Sequence, residues 1–171
     1  LNLTWEVRDG IISHCGEDFT TCRLEPKIKK KPLERIRARQ QAGVPGTLEG
    51  CIVRLIDKIA YAGKDVEDAL EAGVIKKSRI PAKFKRKLGK TNGMIIGTFL
   101  EDMIQNSYNK DYVAVSPGLG KLLHELIDFN GEYIYHSKQA EGYKAQTKKM
   151  LEYLFSDLLK ELKGKERFQS Y

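Results

Sequence analysis

TLEGCIVRLIDKIAYAGKDVEDALEAGVI, residues 47–75, decides the fold. Thr47 is a good N-cap, and Ile52, Leu55, Ile56, Ile59, Gly63, Val66 and Leu70 recur on one side at about 100° per residue, which predicts a helix ended by Gly73. Its opposite face carries Arg54, Asp57, Lys58, Tyr61, Lys64, Asp65 and Asp68. Asp57, Tyr61, Asp65 and Asp68 stand at i, i+4, i+8 and i+11, so they share one stripe. A polar stripe opposite an apolar one is also what any surface helix shows. The chemistry available there is nonetheless specific. A carboxylate such as Asp57 is a hard ligand for a divalent ion, Lys58 can neutralise a phosphate beside it, Tyr61 can stack on or bond to a sugar, and Asp65 can accept from a ribose hydroxyl.

Outward from this helix the chain keeps a helical period. Upstream, Trp5, Val7, Ile11 and Ile12 predict a helix over about 4–14, with Thr4 as its N-cap, stopping near Cys15-Gly16. A short helix is expected over 33–41, between basic, Pro- and Gly-punctuated loops. Downstream, amphipathic patterns predict helices over 94–106, from Ser116-Pro117 onward with continuation toward Tyr133 and Tyr135, and over 140–163. No segment shows a convincing period of two. The fold class expected is all-α.

The 171 residues suit an ordinary domain, and 41% hydrophobic against 31% charged residues allows a packed core. No run approaches the ~20 apolar residues of a membrane span, so a membrane partner is not expected. Thirty Lys and Arg against 23 Asp and Glu give +7, which favours anionic partners. Cys15, Cys22 and Cys51 form neither a disulfide framework nor a CxxC pair, and point to a reducing, cytoplasmic setting. His14, His124 and His136 have no metal-ligand spacing. The chain opens on Leu1 rather than Met and reads as a piece of a longer one.

The 47–75 run also resembles the signature of deoxyguanosinetriphosphate triphosphohydrolase-like proteins of the HD-domain superfamily. The matching positions are Thr47, Leu48, Glu49, Val53, Asp57, Ile59, Ala60, Tyr61, Asp65, Asp68, Ala69, Leu70, Ala72 and Gly73. The similarity extends through Leu1-Asn2-Leu3-Thr4, Glu6 to Ile11 and His14, and through 99–107, Ser116-Pro117 and 129–136. It implies an HD-domain-like helical architecture, with residues 1–75 as the later part of the catalytic domain and 76–171 as a helical region packed on it. It implies a hydrolase that splits dGTP or another dNTP into a deoxynucleoside and triphosphate. Asp57 matches the last of four metal ligands, Lys58 a phosphate contact, and Tyr61 and Asp65 the contacts to the deoxyribose. Lys64 stands where many members carry another polar residue, and its role stays open, as does that of His14.

The other three ligands of that pattern, a His and a His-Asp pair, are not among the 171 residues, since the three histidines precede Cys15, Glu125 and Ser137. The expectation is therefore a C-terminal portion, inactive alone, that does not hold its divalent ion (Mg, Mn or another transition metal) tightly. The resemblance also implies a homo-oligomer. The basic runs at 27–39 and 76–90 leave three readings: solvated loops, a regulatory dNTP site, or single-stranded nucleic acid. The competing function is a non-catalytic binding module that uses this basic surface.

Overall fold

The computed structural model describes residues 2–15, 22–27 and 29–168. Leu1 and Gly16 lie outside the described residues, as do the side chains of Arg39 and of residues 163–168. The architecture is all-helical, as the periodicity requires. Helix α1 is Trp5–Ser13, α2 is Leu48–Glu71, α3 is Ala82–Lys87, α4 is Asn92–Ser107, α5 is Pro117–Asn130 and α6 is Lys138–Phe168. A single π-helical turn, Gly131–Tyr135, joins α5 to α6. Where one helix was expected over 33–41, two 3₁₀ turns stand instead, Leu33–Arg35 and Arg39–Gln41, because the backbone is extended at Ile36. Two short strands also form, β1 (Arg23–Leu24) and β2 (Val113–Ala114), paired antiparallel with Leu24 opposite Val113. Two residues are too few to leave an alternating pattern in the sequence.

The helix starts follow local chemistry. The hydroxyls of Thr4, Thr47, Thr91 and Ser116 each accept from a backbone N–H one turn into α1, α2, α4 and α5. Gly73, at φ +68°, takes the left-handed conformation that closes α2. Helix α2 is the axis of the molecule. Leu55, Ile59, Ala62 and Val66 pack on Phe99 and Met103 of α4, on Leu122, Leu126 and Phe129 of α5, and on Phe84 and Leu88. The core thus draws on residues from both sides of position 75.

Two details correct the sequence reading. Helix α1 turns Asp9 and Ser13 inward, while Val7 and Ile11 face outward. Arg54, expected on the polar face of α2, is only 2% exposed. The two corrections have one cause. The Arg54 guanidinium donates to the carbonyls of Ser13 (2.6 Å) and Gly43, so α1 and the loop before α2 close over it. Beside it the Lys31 ammonium meets Asp9 at 2.8 Å and donates to the Ser13 hydroxyl (2.7 Å) and to the carbonyls of Val44 (3.1 Å) and Ala42. The Gly46 N–H donates to the second Asp9 oxygen at 2.6 Å. Gly46 has to lack a side chain, because a Cβ there would stand 2.8 Å from the Trp5 ring. Gly46→Ala is expected to cost about 1–3 kcal/mol by overpacking, read as a lower urea midpoint at unchanged slope.

Helix α6 differs from the rest. Its apolar stripe, including Leu151, Leu154, Phe155 and Leu158, is open to solvent at half or more of each side chain. No described helix is long and apolar enough to cross a membrane.

Candidate functional site

The candidate residues occupy the middle of α2, between two covered stretches. Toward its N-terminus α1 lies over Arg54. Toward its C-terminus the end of α5 and the π turn take over, where the buried Asn130 side chain donates to the Ala62 carbonyl at 2.8 Å. Asp57 and Tyr61 stand at successive turns between those two contacts, and Asp65 one turn further on, past the Ala62 contact. Asp57, Lys58 and Asp65 are half-buried, and Tyr61 is 62% exposed. The structure therefore brings all four sequence-derived residues onto one accessible stretch of a single helix. A ring so exposed gains little from packing and is available to a ligand.

Asp65 is not left to solvent. The Tyr135 hydroxyl donates to its Oδ2, bridging the π turn to α2. Burial, then the hydrogen bond and negative charge of Asp65, push the phenol of Tyr135 well above the usual tyrosine range. The bond fixes the carboxylate's orientation while Oδ1 remains to accept a further donor. Tyr135 is the residue that sequence reasoning missed as a site member. Its sequence position 70 residues after Asp65 gives no local signal; only the continuation of the α5 pattern through Tyr133 and Tyr135 hinted that this face turns toward the core.

The raised phenol has a testable sign. The folded protein holds this proton more tightly than the unfolded chain does. The stability it contributes is full below the unfolded tyrosine pKa of about 10 and is lost as pH rises through the folded value. Tyr133 is also raised, by its hydrogen bond with Glu132, but less than Tyr135. In an ultraviolet titration Tyr135→Phe should remove the latest-ionising step, and a latest step unchanged by the substitution would assign the bond wrongly.

The remaining polar residues are accounted for by ordinary contacts. Lys64 pairs with Asp68 at 2.8 Å on the open face, which raises its ammonium above the ordinary lysine value. His14 sits at the C-cap of α1 with Nδ1 2.7 Å from the Ile11 carbonyl, an acceptor, so the proton is on Nδ1. His124 and His136 lie near Asp128 and Glu141 at the surface. Of the first basic run, Lys30 makes a surface pair with Glu6 at 3.2 Å, whereas Lys31 belongs to the buried Asp9 network and is not a solvated loop cation.

Among the described residues, no three His, Cys, Asp or Glu side chains stand close enough together to hold a metal ion. Asp57 alone does not make a site, and no chemical step is assigned to a metal on this chain by itself.

A deoxyguanosinetriphosphate triphosphohydrolase-like protein of Caldanaerobacter subterraneus subsp. tengcongensis is 32% identical over 155 residues, covering 91% of this chain and 38% of that protein. One of Clostridium perfringens (strain SM101 / Type A) is 30% identical over 166 residues, covering 92% and 42% respectively. Another, of Desulfatibacillum aliphaticivorans, is 28% identical over 158 residues, covering 91% and 41%. The chain thus spans about two fifths of the length of the curated relatives it matches. No protein-family model and no solved structure matches it.

Proposed function

Because the chain belongs with the deoxyguanosinetriphosphate triphosphohydrolase-like proteins over 91% of its length, we propose that it supplies the sugar-reading part of a dNTP triphosphohydrolase site. In this reading Asp57 is one metal ligand of a larger set, Lys58 meets a phosphate, and Tyr61 and Asp65 receive the deoxyribose. The observation that carries it is the Asp65–Tyr135 bond. A half-buried carboxylate, fixed in orientation by a phenol and keeping one oxygen in reserve one turn from an exposed aromatic ring, suits a ligand that offers a hydroxyl beside a flat, weakly polar face.

The residues' own work is then binding and orientation. Asp65 accepts the 3′-hydroxyl, and the Tyr61 ring lies where a 2′-hydroxyl would crowd it, which favours deoxyribose over ribose. The phosphates run back along α2 toward Lys58. The divalent ion would polarise the α-phosphate, and its remaining ligands are not among these 171 residues.

Two measurements test this. The isolated chain, free of contaminating phosphatase, should release no triphosphate from dGTP above background; release at an enzymatic rate would mean that the ligand set is complete without further residues. In amide chemical-shift titrations dGTP should perturb 57–65 and Tyr135 at lower concentration than GTP does. Equal responses to both nucleotides would remove the sugar assignment.

A further inference from the structure

We propose that Asn130 is a positioning residue for the Asp65 carboxylate: its buried amide clamps the π turn to α2 at Ala62, and the clamp sets the Tyr135 hydroxyl against Asp65. The inference deepens the sugar-reading assignment above and rests on it.

Asn130 is 1% exposed, at the end of a helix whose other buried side chains, Leu122, Leu123, Leu126 and Phe129, are all apolar. Its Nδ2 donates to the Ala62 carbonyl at 2.8 Å, and that bond fixes which way the amide points, because a carbonyl only accepts. Its Oδ1 is buried with no donor among the described residues. An acceptor left so is costly, and a leucine of similar size would avoid the cost. The amide's contribution therefore lies in where its N–H groups reach. The Ala62 carbonyl belongs to the hydrogen-bond ladder of α2, so the Asn130 bond uses its second lone pair and ties α5 to α2 without breaking the helix.

Asn130 is also the residue from which the π turn departs. In a continued α-helix Tyr135, five residues on, would lie about 140° round the axis from it. The π turn closes i to i+5 instead, with the His136 N–H donating to the Gly131 carbonyl at 3.2 Å, and this widening returns Tyr135 toward the Asn130 side. The phenol then takes a hydrogen bond from the Asn130 amide while it donates to Asp65 Oδ2. The amide and the hydroxyl thus form a chain that begins and ends on α2, at Ala62 and Asp65, and each bond polarises the next. Ala62 adjoins Tyr61, so both anchor points fall on the turn that carries the ring and the carboxylate of the candidate site.

Asn130→Leu keeps the volume and removes the donor, and ultraviolet titration reads Tyr135 with no nucleotide present. If Asn130 positions the phenol, the Asp65 bond loosens in the variant and the latest-ionising tyrosine step falls toward the others. If Asn130 merely donates to the phenol, losing a donor that favours the phenolate moves the same step up. In amide chemical-shift titrations dGTP binding should weaken roughly 3- to 10-fold. Adding Asn130→Leu to Tyr135→Phe should weaken it no further, since Asn130 acts through Tyr135. Should Asn130→Leu not fold, Asn130→Ser, too short to reach Ala62, carries the same readings. A step that rises or stays in place overturns the proposal, as does a full further loss in the double variant. Unchanged dGTP affinity beside a fallen step, in a protein that prefers dGTP to GTP, overturns it too. A fallen step in a protein that binds dGTP and GTP alike upholds the clamp on Asp65 and removes only the sugar reading.

Discussion

Asp9→Ala should lower the unfolding free energy by about 3–5 kcal/mol, the penalty for removing one partner of a buried ion pair. Asp9 is fully buried, and its carboxylate takes the Lys31 ammonium at 2.8 Å, the Gly46 N–H at 2.6 Å and the Ser13 hydroxyl at 3.3 Å. Alanine strands the ammonium among carbonyls and a hydroxyl, which stabilise a cation far less than an anion does, and it leaves the Gly46 N–H without an acceptor. The same network carries the Arg54 contacts, so the loss spreads to the seam between α1 and α2. Urea denaturation gives the number. Adding Lys31→Met to Asp9→Ala should recover part of the loss, since it removes the orphaned charge. A drop below ~1 kcal/mol for the single variant would place this pair with ordinary surface ion pairs.

The second large effect concerns ligand choice. In the reading proposed above, Asp65→Ala removes the acceptor for a sugar hydroxyl, an interaction with a charged partner worth about 1.5–3 kcal/mol, and should weaken dGTP binding roughly 10- to 100-fold. Tyr135→Phe keeps the carboxylate but frees its orientation, so the loss should be smaller and in the same direction. Tyr61→Ala should act differently. It opens space beside the sugar, narrows the difference between dGTP and GTP, and does so mainly by improving the binding of GTP. Lys64→Ala, which breaks only the surface pair with Asp68, should leave both affinities within error. A Tyr61→Ala variant that weakens both nucleotides equally would make the ring a general packing surface and sink the steric reading.

Why α2 could be read from sequence, while its surroundings could not, follows from the range of the forces involved. The apolar period from Ile52 to Leu70, the Thr47 cap and the Gly73 stop are local and strong, and the structure contains all of them. The exception is Ile52 at its start, which the fold leaves 40% exposed. Arg54 was placed with the polar residues because a helical wheel counts only neighbours three and four residues away. What buries it is the carbonyl of Ser13, 41 residues earlier in the chain. Asp9 and Ser13 are spaced i, i+4 on α1, a weak signal that a short helix of nine residues does not raise above its outward-facing Val7 and Ile11. The site divides in the same way. Asp57, Tyr61 and Asp65 follow from one helix's spacing, whereas the Tyr135 bond depends on how α5 ends. A π turn there shifts the helical phase and aims the phenol at α2.

The open stripe of α6 sets a hierarchy of hydrogen exchange. Amides in α2, α4 and α5 are locked beneath a shared core, and they should exchange only through openings that approach global unfolding. Those in the solvent-surrounded part of α6 need only the fraying of a single helix, so deuterium should enter there long before it enters the core. Whatever comes to cover that stripe would be recorded first as silence in those early amides.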